Sequence, residues 1–406
     1  MTQENPKEFF STNPPLPSGE GGGEGVKKKK ILLVTRPICP PWDEASKNFA
    51  YNLAKNIRDC EITLLTCGKI SRLSENIKQE PIYSSVRFNF FQKLRLVIFL
   101  FFNARKYDVI HLLFTPTKTN GWIIKYILKS PLIPLWKRGR IKVKIIQTIA
   151  TLREDLYGDA EIKKMLFGDR IITYSQHAKN KLNSLGFNNV TQVYPGIDLE
   201  HYSPTPKSNL QPTTYNLQPD DFVVTYPGEY ARLGAANDIM DMILRYSSIL
   251  KNNNIKLVFA CRVKNEMDAR KKEEVKRKLE AAGCLDNVIF TDTVSDMAEL
   301  YNISDVVIFP VRDMKGKFDV PLAVTEAMAC GKPVILSDLA ILKEFANENN
   351  SVIIKNGDIE QLKSSILDLY QNKNKREEVG KNGRKYIEAN FDIKIVAERY
   401  KEIYLS

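Results

Sequence analysis

Histidine is scarce in this chain of 406 residues: only His111, His177 and His201 occur, and none stands at the spacing of a metal-ligand pair. The six cysteines, at 39, 60, 67, 261, 284 and 330, have no paired spacing and fall mostly in apolar or strand-like stretches. In a chain this long they read as reduced core residues, which argues against a disulfide framework and against a zinc site. No apolar run reaches the ~18 residues of a spanning helix. The N-terminus is polar, and Lys27–Lys30 lead into a strand, so no secretory leader is expected and the chain reads as cytoplasmic. Zinc-finger spacing, a recognition-helix signature and aromatic–basic RNA motifs are all lacking, which removes nucleic acid from the expected partners. Acid is outnumbered: 48 Asp and Glu face 60 Lys and Arg, a net charge of +12. That balance favours anionic partners, either phosphates or an acidic membrane surface.

What is present suits a globular protein of two domains, with 43% apolar and 27% charged residues. Residues 1–26 (…NPPLPSGEGGGEG…) are rich in Pro, Gly, Ser and Glu and read as a disordered tail. From 27 to 204, short apolar runs alternate with helical stretches. The expected strands are 31–35, 62–67, 109–114, 141–149, 170–174 and 190–194, an order that implies a doubly wound parallel sheet. Residues 205–220 hold a short repeat, NLQP-TTY-NLQP, polar and proline-bearing, and read as the linker. A second α/β domain follows over 221–385, with strands expected at 222–226, 256–260, 288–290, 306–309, 334–336 and 351–354. Residues 386–406 complete the chain.

The most informative stretch is DVVIFPVRDMKGKFDVPLAVTEAMACGKPVILSD, Asp305 to Asp338. Val306–Phe309 is a buried strand by pattern, and Arg312–Lys317 a polar loop. Asp319 and Pro321 give the N-cap and first-turn signals of a helix that stops at Gly331. Ligands of parallel α/β sheets sit at such strand-to-helix ends. Glu326 stands out in this helix of apolar and small residues, because a carboxylate is rarely buried alone. Either it pairs with a lysine or a neighbouring backbone, or its oxygens accept hydrogen bonds from a ligand diol such as a ribose. Upstream, Pro227-Gly-Glu-Tyr-Ala-Arg-Leu-Gly234 joins a strand to a helix. Glycines there let backbone amides approach a phosphate at a helix N-terminus, though a plain turn has the same look. Arg262 and Lys264 end the next strand on the same edge, placed for charge-assisted bonds to phosphate oxygens.

DVPLAVTEAMACGKPVILSD resembles the nucleotide-sugar segment of retaining glycosyltransferases with the GT-B fold, glycosyltransferase family 4 (glycosyl transferases group 1). The resemblance implies two Rossmann-like, doubly wound parallel-sheet domains facing each other across a cleft. It implies retaining transfer of a sugar from a nucleoside-diphosphate sugar to a glycan or lipid-linked acceptor, with no cofactor and no essential metal. Glu326 matches the family glutamate that holds the donor ribose. A second family glutamate has no counterpart in Lys317-Phe-Asp-Val-Pro321, where Asp319 is the acidic candidate on the sugar side. Gly228 and Arg232 match the diphosphate loop, with Arg262 and Lys264 beside it. Lys317 is a cation for the departing diphosphate or a solvated loop lysine. Pro321 and Leu322 lie in the backbone stretch that would orient the sugar. Asp319 and Arg232 are thus the catalytic candidates. Ala150 stands where many members have a histidine, so no catalytic histidine is expected. Arg36–Ser46 is placed as a cleft-lining loop, 292–301 as the nucleobase side, and Gly380–Tyr404 as terminal helices returning to the first domain.

Three segments have readings of their own. Phe88–Lys106 (FNFFQKLRLVIFLFFNARK) is a buried helix, or else a peripheral helix on an anionic membrane, since it is too short to span. Ser130–Arg140 (SPLIPLWKRGR) reads as an inserted surface loop, and Arg270–Lys278 as the solvated face of a helix. His111, on a strand, reads as structural. Two other functions suit the same fold: a nucleotide-sugar epimerase, which needs acid–base groups in the cleft, and a non-catalytic glycosyltransferase-like binding subunit. Acceptor-dependent release of nucleoside diphosphate separates a transferase from the latter.

Overall fold

The structure, a computed structural model, describes residues 28–40, 44–70, 73, 77–114, 117–129, 143–207, 210 and 215–406. The tail 1–26, the loop 130–140, and parts of the cleft-lining loop and of the linker lie outside them. Two all-parallel sheets form the frame. The first contains β1 (Lys29–Ile38), β2 (Cys60–Thr66), β3 (Ile77–Glu80), β4 (Val109–Leu112), β5 (Lys144–Ile149), β6 (Arg170–Thr173) and β7 (Val190–Gln192), in the order β3-β2-β1-β4-β5-β6-β7. The second contains β8 (Phe222–Tyr226), β9 (Ile255–Ala260), β10 (Val288–Thr291), β11 (Val306–Phe309), β12 (Val334–Ser337) and β13 (Val352–Ile354), in the order β10-β9-β8-β11-β12-β13. Each order reverses direction next to its first strand, which opens a crevice at the carboxyl ends of the strands. The central strands are buried on both faces, so they read as continuous apolar runs. β3 was not expected from the sequence. It is an edge strand, and only Ile77 of its residues is buried, which leaves too weak an apolar signal.

The chain end ties the two domains together. The helix Lys373–Asn390 stops at Phe391, and the helix Ile393–Leu405 crosses to the first domain. At the crossing, the Ile197 amide donates to the Phe391 carbonyl (2.7 Å) and the Ile393 amide to the Ile197 carbonyl (2.9 Å). Gly196 is required there, since a Cβ would lie 2.4 Å from Ile393 Cδ1. Farther along, Lys29 Nζ reaches the carbonyls of Tyr404 and Leu405, and Lys144 Nζ that of Ile403. Lysines on the last exposed carbonyls of a helix also complement its dipole.

His111 is fully buried on β4 beneath this helix. Its Nδ1 lies 2.6 Å from the Tyr404 hydroxyl and its Nε2 2.7 Å from Thr148 Oγ1, while its ring stacks on Tyr400. Burial lowers its pKa from 6.5 to about 3, so it is held neutral as a structural pin.

The helix within Phe88–Lys106 runs from Phe90 to Asn103 and is not buried, contrary to that expectation. Only Gln92, Leu96 and Leu100 are fully buried, with Val97 and Phe99 packed against the same core from its margin. An outer-layer helix can cover the sheet with one face only, and here the remaining faces are apolar as well. Two expected details of the helix Leu322–Ala329 also change. Pro321 itself is the N-cap, and Asp319 does not cap, because its carboxylate turns to the other domain. Among the described residues, no helix is long and apolar enough to cross a membrane.

Replacing His111 by alanine should cost about 3 kcal/mol of stability, measured by denaturant unfolding at neutral pH. The neutral imidazole favours the fold above pH 6.5, and that contribution is lost as the pH falls towards 3. The gap between wild type and His111→Ala should therefore narrow over that range. A gap that widens on acidification would show that the ring is charged in the fold.

Candidate functional site

Three strand-to-helix loops of the second domain meet one another: Pro227–Gly234 after β8, Cys261–Asn265 after β9 and Pro310–Pro321 after β11. At their junction Glu229 is 3% exposed and takes three cations. Its Oε1 accepts from Lys264 Nζ (2.6 Å), Lys317 Nζ (2.6 Å) and Arg232 Nη2 (3.0 Å), and its Oε2 from Arg232 Nε (2.8 Å). Burial works to raise the Glu229 carboxyl, but the Arg232 bonds and the charges of Lys317 and Lys264 outweigh it and hold it far below the usual carboxylate range. Lys317 moves the other way, down to about 8, through burial first and then repulsion by Lys264. Three cations against one carboxylate leave a positive surplus facing the cleft, the complement of a diphosphate.

The loops are braced from behind. Buried Asp268 accepts from the Ala231 and Lys264 amides (3.3 Å each) and so joins the first two loops. Arg312 makes a bidentate pair with Asp238 (3.0 and 2.5 Å), while its amide donates to the Leu233 carbonyl (2.7 Å). Gly228 has a packing reason as well, since a Cβ would lie 2.0 Å from Tyr226 Cζ. Arg262 is half-buried in the same β9 loop as Lys264.

The first domain closes on this edge. Arg153, held by Asp155 (2.9 and 3.0 Å), lies close to Gly316, as does Arg232, whose Nη1 donates to the Gly316 carbonyl (3.2 Å). The Asp319 carboxylate accepts from Ser175 Oγ at 2.5 Å and from the Thr151 hydroxyl, and its amide donates to the Ala150 carbonyl (2.9 Å). Burial raises Asp319 to about 6, and the Ser175 and Thr151 bonds only partly offset that. Glu344 makes a second latch, accepting from the Gln176 and His177 amides (2.6 and 2.7 Å). Those amides open the helix Gln176–Ser184, where a carboxylate is favoured.

Glu326 makes its contacts elsewhere. Without an ion pair among the described residues, it faces the Tyr202 and Tyr301 hydroxyls. Burial raises its carboxyl to about 7, and the two neighbouring hydroxyls only partly offset that. The Tyr301 hydroxyl is buried without a hydrogen-bond partner of normal geometry among the described residues. The lysine-pair account of Glu326 therefore fails, and acceptor capacity is left on its carboxylate. Pro321 is buried and Leu322 half-buried at the start of its helix.

Of the residues singled out from the sequence, the structure brings Arg232, Lys264 and Lys317 onto one carboxylate, with Gly228 in the same loop. It sets Asp319 on the domain boundary and Glu326 apart from both. Glu229, Arg153, Ser175 and Glu344 were missed. Only Glu229 carried a signal: it is an acid in a tight strand-to-helix turn with an arginine three residues on, open to the argument that marked Glu326. Cys39 and Cys67, unpaired by spacing, meet with sulfurs 2.7 Å apart at the ends of β1 and β2. Among the described residues no cluster of three His, Cys, Asp or Glu is arranged to hold a metal ion.

Glu229→Gln should destabilise the protein by about 3 kcal/mol, because it strands three cations in a half-buried site. Millimolar pyrophosphate should restore part of that loss in a denaturant titration. Unchanged stability would mean that the cations do not depend on Glu229. Asp319→Asn should be more stable than wild type at pH 8 and lose that advantage as the pH falls through 6 towards 3.8, since only the ionised acid resists burial. Thermal midpoints across that range check the sign.

Comparison with known proteins bears on the family and the fold. Residues 216–386 match the family model of glycosyl transferases group 1. The capsular polysaccharide biosynthesis glycosyltransferase CapM of Staphylococcus aureus is 26% identical over 238 residues, 58% of this chain and 58% of that protein. The match thus spans little more than half of that relative's length. HepE of Anabaena, solved in complex with UDP and glucose, superposes with a TM-score of 0.72 at 17% identity, covering 94% of this chain and 100% of that one. Sucrose-phosphate synthase of Thermosynechococcus elongatus superposes with a TM-score of 0.72 at 16% identity, covering 93% and 98%. At such identities the superpositions speak for the fold: two Rossmann-like domains in the GT-B arrangement. The second domain belongs to the glycosyl transferases group 1 family, and the chain as a whole has the GT-B fold.

Proposed function

We propose that the protein is a retaining glycosyltransferase of family 4 that moves a sugar from a nucleoside-diphosphate sugar to a glycan or lipid-linked acceptor. The observation that carries this reading is the cluster of Arg232, Lys264 and Lys317 on Glu229, at the strand ends where a parallel sheet binds its ligand. The group 1 domain, the UDP and glucose held by HepE and the capsular role in the name of CapM support it.

The reaction must stabilise a departing diphosphate and an oxocarbenium-like sugar. Arg232, Lys264 and Lys317, with Arg262 in the same loop, meet the first need as fixed cations and stand in for a metal ion. Glu229 keeps them in place before the donor arrives. Asp319 and the backbone of 318–322, including Pro321 and Leu322, orient the sugar, and the free acceptor capacity of Glu326 takes the ribose hydroxyls. Closure along Asp319–Ser175 and Glu344 excludes the water that would hydrolyse the donor. The reading places the protein in the cytoplasm, in contact with the anionic inner face of a membrane that carries the acceptor. A non-catalytic binding subunit is the second reading, favoured by one observation: Ser175 and Thr151 already occupy the Asp319 carboxylate.

A thermal-shift panel of UDP-, GDP- and ADP-sugars tests the donor site. One nucleotide class should add about 2.7 kcal/mol of stability at a hundred times its dissociation constant. Glu326→Ala should abolish that gain, and in wild type binding should tighten as the pH rises through 7 and Glu326 ionises. Lys317→Ala should lower acceptor-dependent release of nucleoside diphosphate by about 10²–10³-fold. Nucleotide binding with no release in the presence of acceptors would favour the binding subunit, and no shift with any nucleotide would end the transferase reading.

A further inference from the structure

The helix Phe90–Asn103 has a face that the cleft chemistry does not use. Phe90, Phe91 and Phe102 are 70%, 69% and 72% exposed, and Leu94, Ile98 and Phe101 are also exposed. At 100° per residue these six side chains share one broad stripe, opposite Gln92, Leu96 and Leu100, which face the core. Three phenylalanines open to water along one helix are a patch without a folding purpose, and large exposed apolar patches mark interaction surfaces.

Charge selects the occupant. Between Glu80 and Asp108 the chain has no acid, while Arg87, Lys93, Arg95, Arg105 and Lys106 lie within or beside the helix. Lys93 sits over the Phe88 ring, Arg95 donates to the Ile82 carbonyl and Lys106 to Asn103. No carboxylate among the described residues neutralises those three. A second copy docked about a two-fold axis would bring these basic margins together, which like-charge repulsion opposes. An anionic bilayer accepts both features, apolar side chains below the headgroups and cations among them. The helix, roughly 21 Å long, suits lying in the membrane plane and not spanning it.

We infer that the exposed face of Phe90–Asn103 is a docking surface for an anionic lipid bilayer, with Phe90, Phe91, Ile98, Phe101 and Phe102 inserted and Arg95 and Lys106 at the headgroups. This gives the membrane contact proposed above a defined surface, and it stands on the helix alone, whatever the reaction in the cleft.

Vesicle flotation at low salt tests it, with phosphatidylcholine alone and with about one quarter phosphatidylglycerol. Wild type should float with the anionic vesicles, less so with the neutral ones, and should be released by high salt. Phe91→Gln/Phe102→Gln should weaken flotation by about tenfold or more. Arg95→Gln/Lys106→Gln should weaken it on anionic vesicles only. All these positions are on the surface, so thermal midpoints and nucleotide-induced shifts should match wild type, which keeps a failure here apart from a failure of the transferase reading. Wild type that stays off anionic vesicles, a phenylalanine variant that floats as well as wild type, or a dimer dissolved by that variant would each overturn the inference.

Discussion

A carboxylate taken out of water persists as an anion only where enough positive charge and hydrogen bonding replaces its hydration. Glu229 meets that condition with three cations drawn from three loops, and the rest of the cleft edge follows from it. Lys264 and Lys317 repel one another and would separate without the shared acceptor. With it, their ammonium groups and the Arg232 guanidinium stay at fixed positions at the mouth of the second sheet. An arrangement that is already paid for in folding needs little reorganisation when an anion arrives, and fixed dipoles and charges of this kind serve catalysis best. Asp268 and the Arg312–Asp238 pair extend the same logic outward, since each holds the backbone from which a cleft cation projects.

The two domains meet through contacts of different kinds. Behind the cleft, the helix Ile393–Leu405 lies on the first domain through apolar burial, lysine-to-carbonyl bonds and the neutral His111. Nothing in that seam depends on a ligand. At the cleft edge polar contacts carry more of the seam: Asp319 on Ser175 and Glu344 on two helix amides, beside an edge-to-face contact of Tyr174 with Phe318. Asp319 is held there against its tendency to stay hydrated, which makes this edge the more easily opened of the two. A seam that is apolar behind and mixed in front suits a hinge that opens at the cleft and closes over a ligand.

Much of this was legible without coordinates. The strands β8 and β11 fall at the residues where apolar runs placed them, because a strand buried on both faces has to be written as continuous hydrophobic sequence. Glu326 was marked by its contrast with Ala, Val and Met neighbours, and its carboxylate has no cationic partner among the described residues. Less was legible where the deciding contact is remote. Asp319 looked like a helix cap on local grammar, but Ser175, 144 residues away, claims its carboxylate. The helix Phe90–Asn103 looked like core on composition, since an apolar helix inside and an apolar helix on the rim have the same sequence signature.

The chain by itself determined the alternating α/β order, the two-domain division and the loops that lie at strand ends, because hydrophobic period and turn residues act over a few positions. Only the folded molecule decided which charges meet. Glu229 finds Lys264 at a separation of 35 residues and Lys317 at 88. Hydrophobic burial is non-directional and can be read along the sequence. An ion pair depends on distances of a few ångströms, and for residues this far apart in the chain those distances exist only once the sheets have closed.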